Sequence, residues 1–296
     1  MRYSIFMKGI VLAGGTGSRL WPITLATSKQ LLPIYNKPLI YYPISVLMQA
    51  GIREILIITS PVDQKSFRAL LGDGSAFGLK FSYLVQEKPE GIAQSFRIAK
   101  EFISEEEVAL ILGDNLFYGA GLNQILQEGL SRKGARVFTY QVSNPVEYGV
   151  LNLDENDEPI SVEEKPTNPK SNLAITGLYF FDKKVVEYAQ EITPSKRGEL
   201  EITDIMQFYI KEKNLEFVRL PAGVAWLDTG SPNSLSDASQ FVRVLEERTG
   251  KKIACLEEIA YENGWLNTAE LKSRVDFYAL SNYGEYLSTI LKSTNK

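Results

Sequence analysis

The segment from residue 8 to residue 33, KGIVLAGGTGSRLWPITLATSKQLLP, joins an apolar run to a turn that contains three glycines. The run at residues 10–13 has the length and the branched side chains of a strand that is buried on both faces. Gly14, Gly15 and Gly17 allow the backbone to turn sharply and to bring its N–H groups against a bulky anion. The segment therefore predicts a buried strand that leads directly into a phosphate-binding loop.

Two cations follow the glycine turn. Arg19 offers a planar fork of donors for phosphate oxygens, and Lys29 adds a mobile point charge. The spacing differs from both familiar phosphate signatures, because Leu20 stands where a Rossmann fingerprint needs its third glycine and a Walker Gly-Lys-Ser/Thr triplet is missing here. The loop therefore indicates a nucleoside triphosphate site of another type, and it disfavours a dehydrogenase.

The residue types that are absent limit the chemistry. The chain of 296 residues has no histidine and a single cysteine, Cys255, which excludes a Ser-His-Asp triad, a histidine base and a cysteine metal cluster. Catalysis would then rest on carboxylates, a hard metal ion and Lys/Arg charges. A formal net charge of −4 argues against a nucleic-acid partner. The sequence shows no apolar run suited to a membrane span or a signal segment, which predicts a cytoplasmic protein with no membrane partner.

The first half of the chain alternates short apolar strands with helical stretches. Strands are predicted at Lys8–Ala13, Glu54–Thr59, Lys80–Val85 and Val108–Leu112. Helices are predicted between them at Pro38–Ala50, Asp63–Leu71 and Ile92–Phe102. This order predicts a Rossmann-like α/β fold, in which a mostly parallel central sheet carries helices on both faces and ligands collect at the carboxyl ends of the strands.

The pattern changes in the second half. Residues 135–182 form shorter segments rich in β-branched and aromatic side chains, which predict a smaller mixed sheet. Helices are predicted to resume at Glu201–Glu212 and Ser234–Thr249, and the tail after Gly250 is predicted to be mostly helical.

Six further blocks repeat a known family pattern: LGDNLFYG (112–119), EYGV (147–150), EEKP (163–166), AITGLYFFD (174–182), RGELEITD (197–204) and AWLDTG (225–230). Together with the glycine loop and SKQLLP, they resemble the sugar-phosphate nucleotidyltransferases, and within that family the glucose-1-phosphate thymidylyltransferases. The resemblance runs from about Lys8 to the C-terminus. It implies that dTTP and glucose 1-phosphate react, with Mg2+ as cofactor, to give dTDP-glucose and pyrophosphate, the first step toward dTDP-rhamnose or a related deoxysugar.

This reaction makes physical sense for a chain without histidine. A phosphate oxygen that is already negative attacks the α-phosphorus, so no general base is required. Asp114 directly follows the apolar run at residues 109–113, and Asp228 follows Trp226 and Leu227. Two carboxylates at strand ends suit Mg2+, which takes few protein ligands and completes its octahedron with water and phosphate oxygens. Taken singly, either aspartate would also suit a helix or turn cap.

The resemblance implies a role for each residue that matches a family motif. The predicted catalytic residues are Arg19, Lys29, Asp114, Lys165 and Asp228, with Asp114 and Asp228 as the metal ligands. The predicted nucleotide-binding residues are Leu12, Gly14, Gly15, Gly17, Arg19, Lys29, Gln30, Gln86, Gly91 and Asp114. The predicted sugar-phosphate-binding residues are Gly149, Glu164, Lys165, Ile175, Tyr179 and Arg197, whereas the neighbouring Glu163 is expected to be an ion-pair or surface residue.

The predicted organisation has three parts. Residues 1–7 are an N-terminal extension, residues 8–243 the catalytic domain, and residues 244–296 a helical extension for oligomer contact or regulation, or for packing alone. Within the catalytic domain, residues 8–134 would bind the nucleotide and residues 135–230 the sugar. The family also implies a homotetramer.

One stretch departs from the family pattern. Pro221-Ala222-Gly223-Val224 stands where relatives often carry Gly-Arg-Gly-Tyr, which removes an arginine that could bind a regulatory anion. Two other functions stay open at this point, a UTP-using uridylyltransferase and a non-catalytic sensor of nucleotide sugars.

Overall fold

The computed structural model describes residues 7–128 and 134–294. The predicted N-terminal extension lies outside the described residues except for Met7, which begins the first strand. Within the described ranges, no helix combines the length and the apolar character that a membrane crossing requires.

The strands and helices follow the predicted alternation. The strands are β1 Met7–Ala13, β2 Pro33–Ile34, β3 Lys37–Pro38, β4 Glu54–Thr59, β5 Lys80–Val85, β6 Glu107–Leu112, β7 Asn115–Gly119, β8 Ala135–Gln141, β9 Gly149–Leu153, β10 Pro159–Glu164, β11 Leu173–Phe181, β12 Leu215–Arg219 and β13 Val224–Asp228. The helices are α1 Tyr41–Gln49, α2 Gln64–Leu71, α3 Gln94–Ile98, α4 Lys100–Ile103, α5 Leu122–Glu128, α6 Val185–Glu191, α7 Ile202–Lys211, α8 Pro232–Thr249, α9 Leu256–Glu262, α10 Thr268–Phe277 and α11 Asn282–Thr294.

Nine of the described strands form one sheet around β1. The strands β5, β4, β1 and β6 are parallel neighbours in that order, and Ile10 on β1 lies opposite Leu56 on β4 and Leu110 on β6. Beyond β6, strand β11 runs antiparallel and pairs with both β8 and β9. Because the carboxyl ends of parallel strands share one edge, the loops after β1, β4, β5 and β6 open on the same side of the sheet.

The central strands are buried on both faces, as their apolar runs require. Val11 and Ile57 point into a core with Leu47 of α1 and Phe67 of α2. Alternate residues of the same strands point into a second core that contains side chains from α3, α4, α6 and α7. The side-chain period of two in a strand divides one apolar run between two cores. The predicted parallel sheet with helices on both faces is therefore confirmed.

Three predicted elements differ in detail. The predicted helix at Pro38–Ala50 begins only at Tyr41, because Pro38 pairs with Pro33 in the β2–β3 hairpin. The predicted helix at Ile92–Phe102 is divided into α3 and α4; it starts late because the Ala93 N–H donates to the Leu200 carbonyl instead of a helical partner. The mixed strands of the second half do not form a separate sheet, because β11 pairs directly with β6 and extends the central one.

The C-terminal region is helical, as predicted. Helix α8 starts with a capping box between Ser231 and Ser234, and Gly250 ends it in the left-handed conformation at φ 68°. Helix α9 then packs Leu256 and Ala260 into the core that contains α1. The tail is thus joined to the face of the sheet that carries α1.

A buried ion pair ties α8 to the β2–β3 hairpin. The Lys37 Nζ donates to Glu246 Oε1 at 2.6 Å, and the two side chains are only 2% and 5% exposed. The Asn36 side chain and the Ile253 N–H also donate to this carboxylate, at 2.6 and 2.9 Å. Burial lowers the pKa of Lys37, and the hydrogen bond with Glu246 acts against that effect. Glu246 therefore satisfies several buried donors at once.

We predict that Glu246→Ala lowers the free energy of unfolding by about 3–5 kcal/mol, because it leaves the Lys37 ammonium buried without its carboxylate. The matched control is Glu247→Ala, which removes an exposed pair with Arg243 that contributes about 0.3–0.5 kcal/mol. Urea unfolding followed by tryptophan fluorescence measures both variants. Equal midpoints for the two would contradict the proposed importance of the buried pair.

Candidate active site

A cavity of about 470 Å³ opens at the carboxyl ends of β1 and β6. Its wall unites predicted residues that are far apart in sequence: Gly15, Gly17, Arg19, Lys29, Gln30, Asp114, Gly149, Glu164, Lys165, Ile175, Tyr179, Arg197 and Asp228. Four predicted residues, Leu12, Gly14, Gln86 and Gly91, are not part of this wall. The sequence blocks therefore converge on one cleft between the glycine loop and the strands of the second half.

An ion pair between Lys29 and Asp114 lies at the centre of the cleft. Lys29 begins a short 3-10 helix, and its Nζ forms a very short contact with Asp114 Oδ2. The other oxygen of Asp114 accepts from the Asn115 side chain at 2.9 Å. Burial alone would raise the pKa of Asp114, but the charge and the hydrogen bond of Lys29 hold it below its usual value. Asp114 is therefore ionised at neutral pH.

Strand pairing brings Asp228 to the same place. Strand β13 runs antiparallel to β7 with Asp228 opposite Asn115, and the Thr229 hydroxyl donates to the Asp114 carbonyl at 2.9 Å. Burial, and then the negative charge of Asp114, raise the pKa of Asp228 to about 6, although Lys29 and Arg19 act in the opposite direction. The two carboxylates are thus close enough to repel each other inside a cleft.

Arg19, which follows the glycine loop, lies near the same carboxylate. A side chain placed at Gly230 would meet Asp228 Oδ1 at 3.2 Å and Arg19 Nη1 at 3.4 Å, so these two groups flank that glycine. The Arg19 guanidinium also opposes the raised pKa of Asp228. The cations and the carboxylates of the cleft therefore interact as one group.

The donor set fits a hard divalent cation. Asp114 and Asp228 provide carboxylate oxygens, and their mutual repulsion is what a doubly charged ion would relieve. Among the described residues, no cluster of three or more potential ligand side chains exists. The fit is therefore to an ion that takes few protein ligands and completes its coordination with water and phosphate oxygens, and it excludes a closed structural site here.

Three residues that the sequence reasoning missed hold the carboxylates in place. The Asn115 Oδ1 accepts from the Trp226 indole N–H at 2.6 Å and from the Gly177 N–H at 3.2 Å. Thr229 binds the backbone of Asp114, as described above. The signal was present, since Asn115 and Trp226 stand beside the two aspartates in LGDN and AWLD, but only pairing of β7 with β13 shows that they meet.

The far end of the cleft carries a mixed-charge cluster. Arg197 Nη1 lies 3.3 Å from Glu164 Oε1 and 3.3 Å from Glu201 Oε1, and Lys165 Nζ lies 4.0 Å from the same Glu164 oxygen. Burial, and then the charge of Glu201, raise the pKa of Glu164, while Lys165 and Arg197 oppose this shift. Lys165 adopts φ 43°, and its N–H donates to the Tyr148 carbonyl at 3.0 Å. Lys165, Arg197 and Glu164 all line the cavity at this end, so both cations and a carboxylate of the cluster face the space for a ligand.

Smaller groups complete this end of the wall. A side chain at Gly149 would lie 3.3 Å from Glu164 Oε2, so the glycine leaves the carboxylate accessible. Ile175 and Tyr179 belong to β11, and burial raises the pKa of Tyr179 above its ordinary value, which keeps its hydroxyl neutral. Glu163 pairs instead with Lys170 at 3.8 Å, as predicted for a residue outside the site.

The remaining predicted residues lie behind the glycine loop. The Leu12 carbonyl accepts from the Gly113 N–H at 2.9 Å, and a side chain at Gly14 would meet Gln86 Oε1 at 2.2 Å. Gly91 has φ 112° and packs against the Leu200 backbone, where a Cβ would come within 2.4 Å of a carbonyl oxygen. These contacts explain the two glycines sterically. Contact of the four residues with a ligand stays a prediction.

The fold and the cleft define an enzyme class, and the comparisons agree. The chain belongs to the nucleotidyl transferase family, whose model matches residues 8–244. It is 52% identical to a glucose-1-phosphate thymidylyltransferase of Neisseria meningitidis, over 97% of this chain and 100% of that protein. It is 49% identical to the enzyme of the same name from Mycolicibacterium smegmatis, over 96% of this chain and 99% of the relative. The resemblance drawn from the motifs is confirmed.

Solved structures give the same result. A candidate glucose-1-phosphate thymidylyltransferase from Bacillus anthracis, crystallised with sucrose, is similar at a TM-score of 0.74 and 41% identity, over 80% of this chain and 95% of that chain. A UDP-glucose pyrophosphorylase in complex with UDP-glucose is similar at a TM-score of 0.73 and 26% identity, over 81% and 99%. Enzymes of this family use a divalent metal and act on nucleotide-sugar and sugar-phosphate substrates.

We predict that Asn115→Leu lowers the free energy of unfolding by about 1–3 kcal/mol, because the Trp226 indole and the Gly177 N–H then lose their acceptor inside the protein. The control is Asn172→Leu at an exposed position, where a change within about 0.5 kcal/mol is expected. Urea unfolding is the measurement. A stability loss for Asn115→Leu no larger than that of the control would count against this network.

Proposed function

We propose that the protein catalyses the Mg2+-dependent transfer of a thymidylyl group from dTTP to glucose 1-phosphate, which yields dTDP-glucose and pyrophosphate. The observation that carries the proposal is the single cleft that contains the Arg19 and Lys29 cations, the Asp114 and Asp228 carboxylates, and the cluster around Glu164. The names of the relatives support the choice of substrates. The product would be the activated glucose needed for dTDP-rhamnose or a related deoxysugar.

The reaction is a direct displacement. An oxygen of the glucose 1-phosphate group attacks the α-phosphorus of dTTP, the new O–P bond forms, and the bond to the β-phosphate breaks with release of pyrophosphate. The attacking oxygen is already negative, so no side chain has to remove a proton. The protein instead has to bring two anions together in line, and oppositely placed cations make that possible.

Each cation has a position in this scheme. Arg19 and Lys29, beside the glycine loop, hold the triphosphate and stabilise the charge that develops on the leaving pyrophosphate. Lys165 and Arg197, at the far end, hold the phosphate of the sugar. Four positive charges from separate segments thus offset the repulsion between the substrates.

Asp114 and Asp228 are the residues that would hold Mg2+. When bound, the ion neutralises charge on the phosphate oxygens of the nucleotide and orients them. Asp114 also keeps Lys29 in place through the ion pair, so this carboxylate has two roles in the cleft.

The sugar and the base are bound by neutral and carboxylate groups. Glu164 accepts hydrogen bonds from glucose hydroxyls, and Gly149, Ile175 and Tyr179 line the space around it. On the nucleotide side, we assign the thymine edge to Gln86 and the Gly91 backbone, because a glutamine amide offers the donor and the acceptor that an imide requires. Leu12 and Gly14 shape the loop at this end, with Gln30 beside Lys29.

A second candidate is a UTP-using glucose-1-phosphate uridylyltransferase, which is favoured by the likeness to a UDP-glucose pyrophosphorylase. Uracil presents the same imide edge as thymine. A pocket distinguishes one methyl group by only about 1–3 kcal/mol, so we expect dTTP to be preferred with some use of UTP. A sensor without catalytic activity is less well supported, because the five predicted catalytic residues all line one cavity.

The organisation of the chain completes the proposal. We assign residues 8–134 to nucleotide binding, 135–230 to sugar binding, and the whole of 8–243 to the catalytic domain. Residues 244–296 would form an extension for subunit contact or regulation in a cytoplasmic homotetramer. Pro221–Val224 lacks the arginine that relatives often carry there and that could bind a regulatory anion, so feedback control is not part of the proposal.

We predict pyrophosphate release when the protein is mixed with Mg2+, glucose 1-phosphate and dTTP, and slower release with UTP. Excess EDTA should abolish the release and added Mg2+ should restore it, because the carboxylate pair needs a cation to neutralise it. The measurement is a coupled pyrophosphate assay with dTTP, UTP, dCTP, dGTP and ATP. No release with any of the five would overturn the proposed function.

We predict that Asp114→Asn lowers kcat/KM for dTTP by about 10³-fold or more, because it removes both a metal ligand and the anchor of Lys29. Asp228→Asn should lower kcat/KM by a similar factor through loss of the second ligand. The control is Asp237→Asn at an exposed position on α8, for which no change is expected. Steady-state kinetics of the folded variants decide the question, and activity near that of the control would refute the assigned roles.

A further inference from the structure

A chain of hydrogen bonds fixes two glutamine side chains behind the nucleotide end of the cleft. The backbone N–H of Glu90 donates to Gln94 Oε1 at 3.1 Å, and Gln94 Nε2 donates to Glu90 Oε2 at 2.8 Å. A backbone N–H can only donate, and a carboxylate only accepts, so the Gln94 amide can point in one direction only. Its oxygen must face the Glu90 N–H.

This orientation determines that of Gln86. The Gln86 Nε2 donates to the same Gln94 oxygen at 2.6 Å. If the Gln86 amide were reversed, two carbonyl oxygens would face each other without a hydrogen between them. Reversing Gln94 as well would place its NH2 group against the Glu90 N–H. The backbone of Glu90 therefore sets the orientation of Gln86 through Gln94.

The Gln86 oxygen consequently points toward the glycine loop. A Cβ at Gly14 would lie 2.2 Å from Gln86 Oε1, so this oxygen occupies the space left by the missing side chain. The Gln86 residue is only 3% exposed, and its backbone N–H donates to the Thr59 carbonyl at the end of β4. Within residues 7–128 and 134–294, no donor forms a hydrogen bond with this amide oxygen, whereas the amide nitrogen donates to Gln94. The oxygen is therefore an acceptor held in a fixed position and left for another donor.

The position of this acceptor relates it to the nucleotide. Gln86 directly follows β5, whose carboxyl end lies at the same sheet edge as the glycine loop after β1. Gly15, the residue after Gly14, and Pro89, three residues after Gln86, both line the cavity. A base at this end of the cleft would thus meet the Gln86 amide from the loop side.

We propose that Gln94 is a positioning residue that selects the base through Gln86. The inference rests on the proposed function. Thymine and uracil carry an N–H between two carbonyl groups, and this N–H can donate to the Gln86 oxygen while the second Nε2 hydrogen reaches a base carbonyl. Cytosine has a lone pair at the corresponding ring nitrogen, which would face the Gln86 oxygen. Gln94 thereby excludes cytosine by preventing the amide from reversing.

The test is the ratio of kcat/KM for dTTP to kcat/KM for dCTP in Gln94→Leu, with glucose 1-phosphate and Mg2+ present. Leucine removes the acceptor, so the Gln86 amide is free to reverse. We expect kcat/KM for dTTP to fall about tenfold, kcat/KM for dCTP not to fall, and the ratio to drop by at least that factor. The KM for glucose 1-phosphate should stay unchanged, because Gln94 acts at the other end of the cleft.

A matched double variant that exchanges the side chains at positions 90 and 94 restores the chain of hydrogen bonds. In E90Q/Q94E, the new carboxylate at position 94 accepts hydrogen bonds from the backbone N–H of residue 90 and from Gln86 Nε2. The new amide side chain at position 90 donates to the same carboxylate. The dTTP to dCTP ratio should return to within about threefold of the wild-type value. If Gln94→Leu does not fold, as judged by circular dichroism, Gln94→Met provides the same comparison with a side chain of similar length.

The outcomes separate the two proposals. Wild-type protein without turnover of any nucleotide refutes the proposed function itself. Wild-type protein that uses dTTP, combined with a variant that loses activity equally for dTTP and dCTP, overturns the inference about Gln94 alone. An unchanged ratio in the folded leucine or methionine variant overturns it as well. A lowered ratio that the double variant restores supports it.

Discussion

The repulsion between two buried carboxylates, and its partial compensation by two cations, is the interaction on which the cleft depends. Asp114 and Asp228 lie close enough that the charge of the first raises the pKa of the second. Lys29 forms an ion pair with Asp114, and Arg19 opposes the shift at Asp228. If a triphosphate engages these cations, as proposed, the group is left short of positive charge, and a divalent metal ion would supply it.

The surrounding structure fixes the positions and the orientations of these charged side chains. Pairing of β13 with β7 sets Asp228 opposite Asn115, and the Asn115 amide joins both strands and the Gly177 backbone. The Thr229 hydroxyl binds the Asp114 backbone from the other strand. On the opposite side, the segment that carries Lys29 continues into the β2–β3 hairpin, which Glu246 of α8 fixes through its buried ion pair. The C-terminal helices are thus joined to the segment that carries Lys29 through the β2–β3 hairpin and its buried ion pair.

Much of this arrangement could be predicted from the sequence. The apolar runs gave β4 and β5 at their observed bounds, and most of the site residues assigned from the motifs line the cavity. Local patterns failed where a distant group competes for the backbone. The local pattern predicts that Ala93 is helical, but its N–H donates to the Leu200 carbonyl. The pattern also predicts that Pro38 starts a helix, but Pro38 pairs with Pro33 in a hairpin. Asn115 and Trp226 were missed for a related reason. Each looks like an ordinary polar or apolar residue in the sequence, and the two meet only when β7 pairs with β13.

The sequence by itself determined the alternation of strands and helices, the chemistry available without histidine, and the family, because these depend on residue type and on order along the chain. Only the tertiary structure decided that the strands of the second half join the central sheet and that Gln94 orients Gln86. It also decided that burial and the charge of Asp114 raise the pKa of Asp228. Hydrogen bonds form only at contact distances of about 3 Å, and charge interactions in salt solution weaken over about 8–10 Å. They are therefore fixed by distances between segments that are remote in sequence, and no local pattern records those distances.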